Sequence, residues 1–262
     1  MLKAEFHIHT NGDPYDNGFV SYSARDLIKV AAKKKFDVLS ITNHNRVFFN
    51  SSLKDYARKK GILLIPGAEP LIQGKDVVLV NVSNNDLNRL KKLDDLDKLD
   101  DSALVIAPHP YFLFGHCLGR KLMKHIDSFD AIEYSHFYTR AMLNPFFKFL
   151  NGNARALKMA KRYNKPVVGT SDAHKLYEFG RTYTLVDSAK NKDDIIAAVK
   201  KNRIKLVSSP MPISHFAWRS MAAVFEEGLI AHVLKKQRMP DLRLDPFFKS
   251  YKKHMRFFKR FK

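Results

Sequence analysis

The sequence predicts an α/β chain whose parallel strands close into a barrel, followed by a basic helical extension. Three observations lead there. Seven short runs with strand character alternate with helical patterns almost to residue 210. Histidines and acids that suit no ordinary core fall at or just past the ends of those runs. Beyond a proline-marked boundary, SPMPISHF, the chain turns basic and aromatic.

The first run is AEFHIH, residues 4–9. As a strand it puts His7 and His9 on one face and Phe6 and Ile8 on the other. Paired imidazoles make a poor core and a good start to a metal site. A helix over SARDLIKVAAKKK follows, with Ser23 as N-cap, then the strand DVLSIT at 37–42. SSLKDYARKK is a second helix with Ser51 as its expected N-cap, and Gly61 ends it before ILLIPG at 62–67. DVVLVNV at 76–82 is the fourth strand, and DLNRLKKLDDLDKL reads as a charged, solvated helix. ALVIAP at 103–108, AIEYSH at 131–136 and PVVGTS at 166–171 complete the seven, with GRKLMKHID and NARALKMAKRY between them. Such alternation argues for a parallel sheet covered by helices, and seven strands favour closure.

The expected organisation is a barrel over residues 1–210 and an extension over 211–262. Lys and Arg number 46 against 26 acids, a net charge of +20, which favours anionic partners. Residues 235–262 hold eleven Lys/Arg and two Asp, so 11 − 2 = +9 of that excess lies in the tail. FFKSYKKHMRFFKRF suits either a helix covering a barrel flank or a surface for nucleic acid or acidic lipid. The single cysteine, Cys117, excludes an internal disulfide and reads as a buried small hydrophobe. With no secretory signal pattern and no membrane-length apolar run, the expected setting is soluble and cytoplasmic.

The unusual polar residues then fall into place. His44 follows the second strand, Glu69 the third, and His109 the fifth; His136 ends the sixth, and Asp172 and His174 follow the seventh. In a parallel α/β barrel those ends share one mouth, where active sites of this architecture lie. Imidazole and carboxylate donors without thiolates point to zinc, manganese or iron. About nine donors exceed one ion's needs and suggest two or three ions bridged by a carboxylate, a phosphoryl-transfer arrangement. His116, His125, His215, His232 and His254 read as surface or packing residues.

In this order, H-I-H-T, T-N-H-N, G-A-E, P-H-P and S-D-A-H, the motifs resemble the PHP family, named for polymerase and histidinol phosphatase. The resemblance spans about residues 4–187. It implies a distorted (β/α)7 barrel with a di- or trinuclear metal centre, and many members hydrolyse phosphate esters. Carried over by position, it implies that His7, His9, Glu69 and Asp172 hold a first ion. Glu69 would bridge to a second ion held by His109 and His136. A third would take His44, His174 and an acid from the loop after the first strand, Asp13 or Asp16, with Asp13 preferred by spacing. This chain has Asn43 where the family's second motif carries Asp, so it keeps a hydrogen bond but loses a charge there.

The expected function is metal-dependent hydrolysis of a phosphate ester, on a phosphorylated metabolite or nucleotide, by a metal-bridging hydroxide. Asp172 or His174 would assist proton transfer, and Arg181 would reach the substrate phosphate or else form a rim salt bridge. Arg140 and Lys175 are weaker candidates for the same contact. Two other classes stand beside it: a nucleic-acid-binding or -processing module working through the basic tail, and metal-dependent hydrolysis of a C–N bond.

Overall fold

The computed structural model describes residues 1–16, 19–112, 116–217 and 220–221. Its contacts divide the chain into two units, Met1–Ile213 and Ser214–Lys262. The first unit is the barrel. Most of the expected extension, including His232, His254 and the aromatic-basic run, lies outside the described residues.

Each of the seven expected strands has a counterpart, but the first ends at Glu5, so His7 and His9 lie past it rather than within it. In chain order the elements are β1 (Leu2–Glu5), α1 (Ala24–Lys33), β2 (Val38–Ile41), α2 (Ser51–Lys59), β3 (Leu63–Ala68), β4 (Leu71–Ile72), β5 (Lys75–Asp76) and β6 (Val78–Val80). There follow α3 (Asn84–Arg89), β7 (Leu104–Ala107), α4 (Lys121–Lys124), β8 (Ala131–Ser135), α5 (Gly152–Arg162), β9 (Val167–Thr170), β10 (Thr182–Val186), α6 (Lys192–Lys200) and β11 (Ile204–Ser208). One sheet runs β11-β10-β1-β2-β3-β6-β7-β8-β9, and β4-β5 form a separate hairpin.

The ends of this sheet meet twice. Past β1, the Asp172 amide donates to His7 O at 2.8 Å and Ile8 bridges Ala173, joining the extensions of β1 and β9 directly. Lower down, Thr184 Oγ1 donates to Gly169 O and accepts from Gly169 N, both at 2.9 Å. That approach needs a glycine, since a Cβ on Gly169 would lie 2.8 Å from Tyr183 O. One apolar cluster takes a side chain from each of the seven strands, namely Ala4, Val38, Ile65, Val78, Leu104, Ala131 and Val168, and adds Ile195, Ile196 and Val199 of α6. A cluster fed from every strand is the inside of a barrel.

The sheet departs from the expected all-parallel pattern at β6, which runs antiparallel to both β3 and β7. The cause is connection length. Only the short hairpin β4-β5 separates β3 from β6, whereas a parallel crossover needs a dozen or more residues.

Local chemistry explains the helix ends. Ser23 caps α1 in a capping box with Asp26. Asn50, one residue before the expected Ser51, caps α2 by accepting from Leu53 N. Gly61 follows α2 at φ 75°, the left-handed conformation typical of that place. The expected charged helix over DLNRLKKLDDLDKL is instead α3 followed by a 3₁₀ turn over Leu93–Lys98. Leu90, Leu93 and Leu96 recur every three residues and are all buried. A three-residue turn keeps that stripe aligned where an α-helix would rotate it away.

Asp95 fixes this turn: its carboxylate accepts from Lys91 N and Lys92 N, each at 2.9 Å, and from Lys98 Nζ at 2.8 Å. Those bonds, the Lys98 ion pair foremost, hold its pKa below the ordinary carboxylate value. A carboxyl depressed in the folded state adds stability above about pH 4 and loses it as pH falls further. Asp95→Asn is therefore expected to lower the melting temperature at about pH 6, with the gap to wild type narrowing progressively as pH falls from about 4 to about 2. A gap that stayed constant across that range would contradict the account.

Candidate metal centre

The mouth is assembled from strand extensions. Glu69 N donates to Asn43 O at 3.1 Å and Asn45 N to Glu69 O at 3.0 Å, so the ends of β2 and β3 are zipped and His44 is set beside Glu69. Asn43 accepts from Thr10 N at 2.9 Å and exchanges hydrogen bonds with Thr10 Oγ1. It is a strut between the ends of β1 and β2, a role that needs an amide rather than a charge. His109 and Asp172 have φ of 24° and 41°, a region costing a non-glycine residue roughly 1–3 kcal/mol. Both strained residues carry side chains into the cluster.

Four donor atoms converge at its centre. His7 Nε2 lies 3.1 Å from Glu69 Oε2, 3.3 Å from Asp172 Oδ1 and 3.3 Å from His9 Nε2. His9 Nε2 lies 3.2 Å from Glu69 Oε2 and 3.1 Å from Asp172 Oδ1. Four ligands held at 2.0–2.1 Å around a tetrahedral ion are about 3.3 Å apart. The opposite ring edges explain which way the lone pairs point. His7 Nδ1 meets Glu133 Oε2 at 2.8 Å and His9 Nδ1 meets Asp13 Oδ2 at 2.9 Å. Carboxylates accept only, so each Nδ1 carries a proton, and each Nε2, facing two carboxylates, needs a positive charge between: a second proton or a metal ion. The residues present therefore fit a divalent ion, which would replace the Nε2 protons.

A second group lies alongside. Asp13 Oδ2 touches His44 Nδ1 at 3.0 Å as well as His9. Asp16 Oδ2 is 2.8 Å from His174 Nε2 and 3.5 Å from His44 Nδ1. His174 lies between two acceptors, the Asp172 carbonyl 3.1 Å from its Nδ1 and Asp16 Oδ2 2.8 Å from its Nε2. His44 Nε2 turns to Glu69 Oε2 at 3.3 Å, and His109 Nε2 to Glu69 Oε1 at 3.4 Å. His136 is buried at the end of β8 but belongs to none of the three close donor groups among the described residues. Arg181 stands beside Lys34. Burial first, and the Arg181 charge second, hold that ammonium below its ordinary value, and no described contact joins Arg181 to the cluster.

Charge balance runs through all of these groups. Burial alone would push the His7 and His9 imidazoles down; the carboxylates of Glu69, Asp172, Glu133 and Asp13 outweigh it and hold them well above their ordinary values. Burial would likewise raise Glu69 and Asp172, yet His7 foremost among the surrounding imidazoles holds both well below. Without a metal, protons supply the positive charge that the carboxylates demand; a divalent ion binding there displaces them.

Three buried acids were not singled out in the sequence. Glu133 orients His7. Glu5 accepts from His7 N at 3.1 Å and from Ser171 N at 3.0 Å, and burial pushes its carboxyl up to about 8. Asp76, on β5, joins His44 and Glu69 in a further donor group. The signal for the first two was an acid inside an apolar strand, AEFHIH and AIEYS.

Comparison with known proteins shows what the chain is similar to. A family model described as PHP-associated matches residues 151–204, and the five motif positions meet at one mouth. Over that segment the chain is similar to PHP-associated domains. Among its relatives is Uncharacterized protein MJ1587 of Methanocaldococcus jannaschii. It is 27% identical over 146 residues, 53% of this chain and 84% of that one. Of solved structures, PsfC from Pseudomonas syringae PB-5123 superposes with a TM-score of 0.57 at 14% identity, covering 87% of this chain and 98% of that one. An amidohydrolase from Chromobacterium violaceum, with bound sulfate, gives a TM-score of 0.51 at 12% identity over 77% of this chain and 97% of its own. These two likenesses show the shared barrel.

A carboxylate that fixes a ligand's tautomer is worth about 10–100-fold in metal affinity. Glu133→Ala is expected to weaken Mn²⁺ binding by that factor, read by calorimetric titration of chelator-stripped protein. Unchanged affinity would show that His7 needs no such orientation.

Proposed function

We propose that this chain is a PHP-type, divalent-metal-dependent hydrolase of phosphate esters. The observation that carries the reading is the set of four mutually facing donors, His7, His9, Glu69 and Asp172, buried in the barrel mouth. These hold the first ion. Glu69 and His109, with His136 at the end of β8, hold a second. His44 and His174 hold a third with Asp13 or Asp16: Asp13 lies 3.0 Å from His44, and Asp16 lies 3.5 Å from His44 and 2.8 Å from His174. Two or three such ions, of zinc, manganese or iron, would supply a water of lowered pKa and neutralise the phosphoryl oxygens.

The chain's own residues divide the remaining work by exposure. His7, His9 and Glu69 side chains are at most 1% exposed and form the floor. Asp172 at 21%, His44 and His109 at 15% and His174 at 13% line the open side, where an ester would arrive. His174, on the open side beside Asp16 and the Asp172 carbonyl, would assist proton transfer to the departing alkoxide when the third ion does not hold it. Arg181, beside Lys34, is given no part. The +20 net charge supports a phosphorylated metabolite or nucleotide by steering anions inward. Among the described residues no helix is long and apolar enough to cross a membrane.

C–N bond hydrolysis is the second reading, favoured by the shared barrel of the amidohydrolase. A substrate panel pairing phosphate monoesters with amides separates the two. Nucleic-acid binding through the tail is tested by truncation after residue 234 and the salt dependence of binding.

His9→Ala and Asp172→Ala are each expected to deplete bound metal and to cut p-nitrophenyl phosphate hydrolysis by at least about 100-fold. Full turnover by chelator-stripped wild type would overturn the mechanism.

A further inference from the structure

One acid at the rim is explained by none of the positions above. Asp76 belongs to β5, in the hairpin β4-β5 that replaces a crossover helix and projects past the end of β3. Its backbone is fixed there, Asp76 N donating to His116 O at 3.0 Å and Leu71 pairing with Asp76 across the hairpin. The residue is 6% exposed, and its Oδ1 has no hydrogen-bond partner among the described residues. Glu69 Oε1, buried at 1%, likewise has none of hydrogen-bond geometry.

One ligand atom each from Asp76, Glu69 and His44 lies within 4.8 Å of the other two. Around an octahedral ion with bonds near 2.1 Å, donor pairs are about 3.0 Å apart when adjacent and about 4.2 Å when opposite. The trio therefore needs only a small contraction to share one ion. The lack of a partner for Asp76 Oδ1 and Glu69 Oε1 among the described residues is the second mark. A buried carboxylate oxygen without a donor is costly, and a second carboxylate beside it makes matters worse. The adjacent Ile72 and Val77 are buried apolar residues.

We propose that Asp76 is a metal ligand, forming with Glu69 and His44 a divalent-cation subsite on the hairpin side of the mouth, for which His44 turns from the third ion. This rests on the reading of the cluster as a metal centre. The subsite takes a hard, oxygen-preferring ion such as Mn²⁺ or Mg²⁺, since two of its three donors are carboxylates. It makes the β4-β5 hairpin part of the centre rather than a bare connection.

The test is titration of chelator-stripped full-length protein with Mn²⁺ alone, comparing wild type with Asp76→Asn and Asp76→Ala. Both variants are expected to bind one Mn²⁺ fewer per chain, or to bind one class of ion at least about 10-fold more weakly, while the remaining ions bind as in wild type. Thermal melts supply the control. With chelator present the variants are expected to melt at or above the wild-type temperature, because an unpaired buried charge has gone. With Mn²⁺ they gain less. Equal stoichiometry and affinities in all three proteins would overturn the proposal while leaving the four-donor site standing. A chelated variant that melts well below wild type, with its Mn²⁺-induced gain intact, would make Asp76 a structural residue and overturn it too. Wild type that binds no Mn²⁺ at all would overturn both readings.

Discussion

Buried carboxylates must be neutralised, and that constraint organises this molecule's mouth. Glu69 and Asp172 meet His7 and His9 in a volume with little water, and each residue's charge state depends on the others. Remove the positive charge and Glu69, at 1% exposure, becomes an isolated buried anion. Protons on the imidazoles answer the demand in one state and a divalent ion in the other. The orienting bonds from Glu133 to His7 and from Asp13 to His9 suit the ion, since they leave the Nε2 lone pairs aimed at a common point.

The barrel is what brings these atoms together, and it does so at some cost in strain. His109 and Asp172 sit at positive φ because the chain must turn sharply off a strand end to bring each side chain over the mouth. Backbone bonds over-determine the arrangement: Asp172 N to His7 O on one side, and Glu69 threaded between Asn43 and Asn45 on the other. The seams that close the barrel are therefore the same seams that fix the cluster. Elsewhere, Asn153 clamps Ser135 through its N–H at 3.0 Å and its carbonyl at 2.8 Å, pinning the end of β8 where His136 begins.

Much of this was readable from the chain. Strand-length apolar runs and the His, Asp and Glu at their ends placed all seven strands and most of the cluster, because burial and donor chemistry both leave marks in residue type. Direction leaves none: DVVLVNV is equally apolar whether β6 runs up or down, so only the short hairpin before it betrays the reversal. Leucines spaced by three looked like one helical face, yet their period fitted a 3₁₀ turn. Asp76 resembled any acid near a Gly-containing turn, QGKD, and nothing local shows that the hairpin carries it back toward Glu69. Arg181 follows the last motif closely in sequence, and its charge is felt at Lys34.

The most direct measurement is anomalous diffraction from crystals grown with Mn²⁺. The account expects a peak about 2.0–2.2 Å from His7 Nε2, His9 Nε2, Glu69 Oε2 and Asp172 Oδ1. Density showing those four atoms in contact with one another, with no scatterer among them at saturating Mn²⁺, would contradict it.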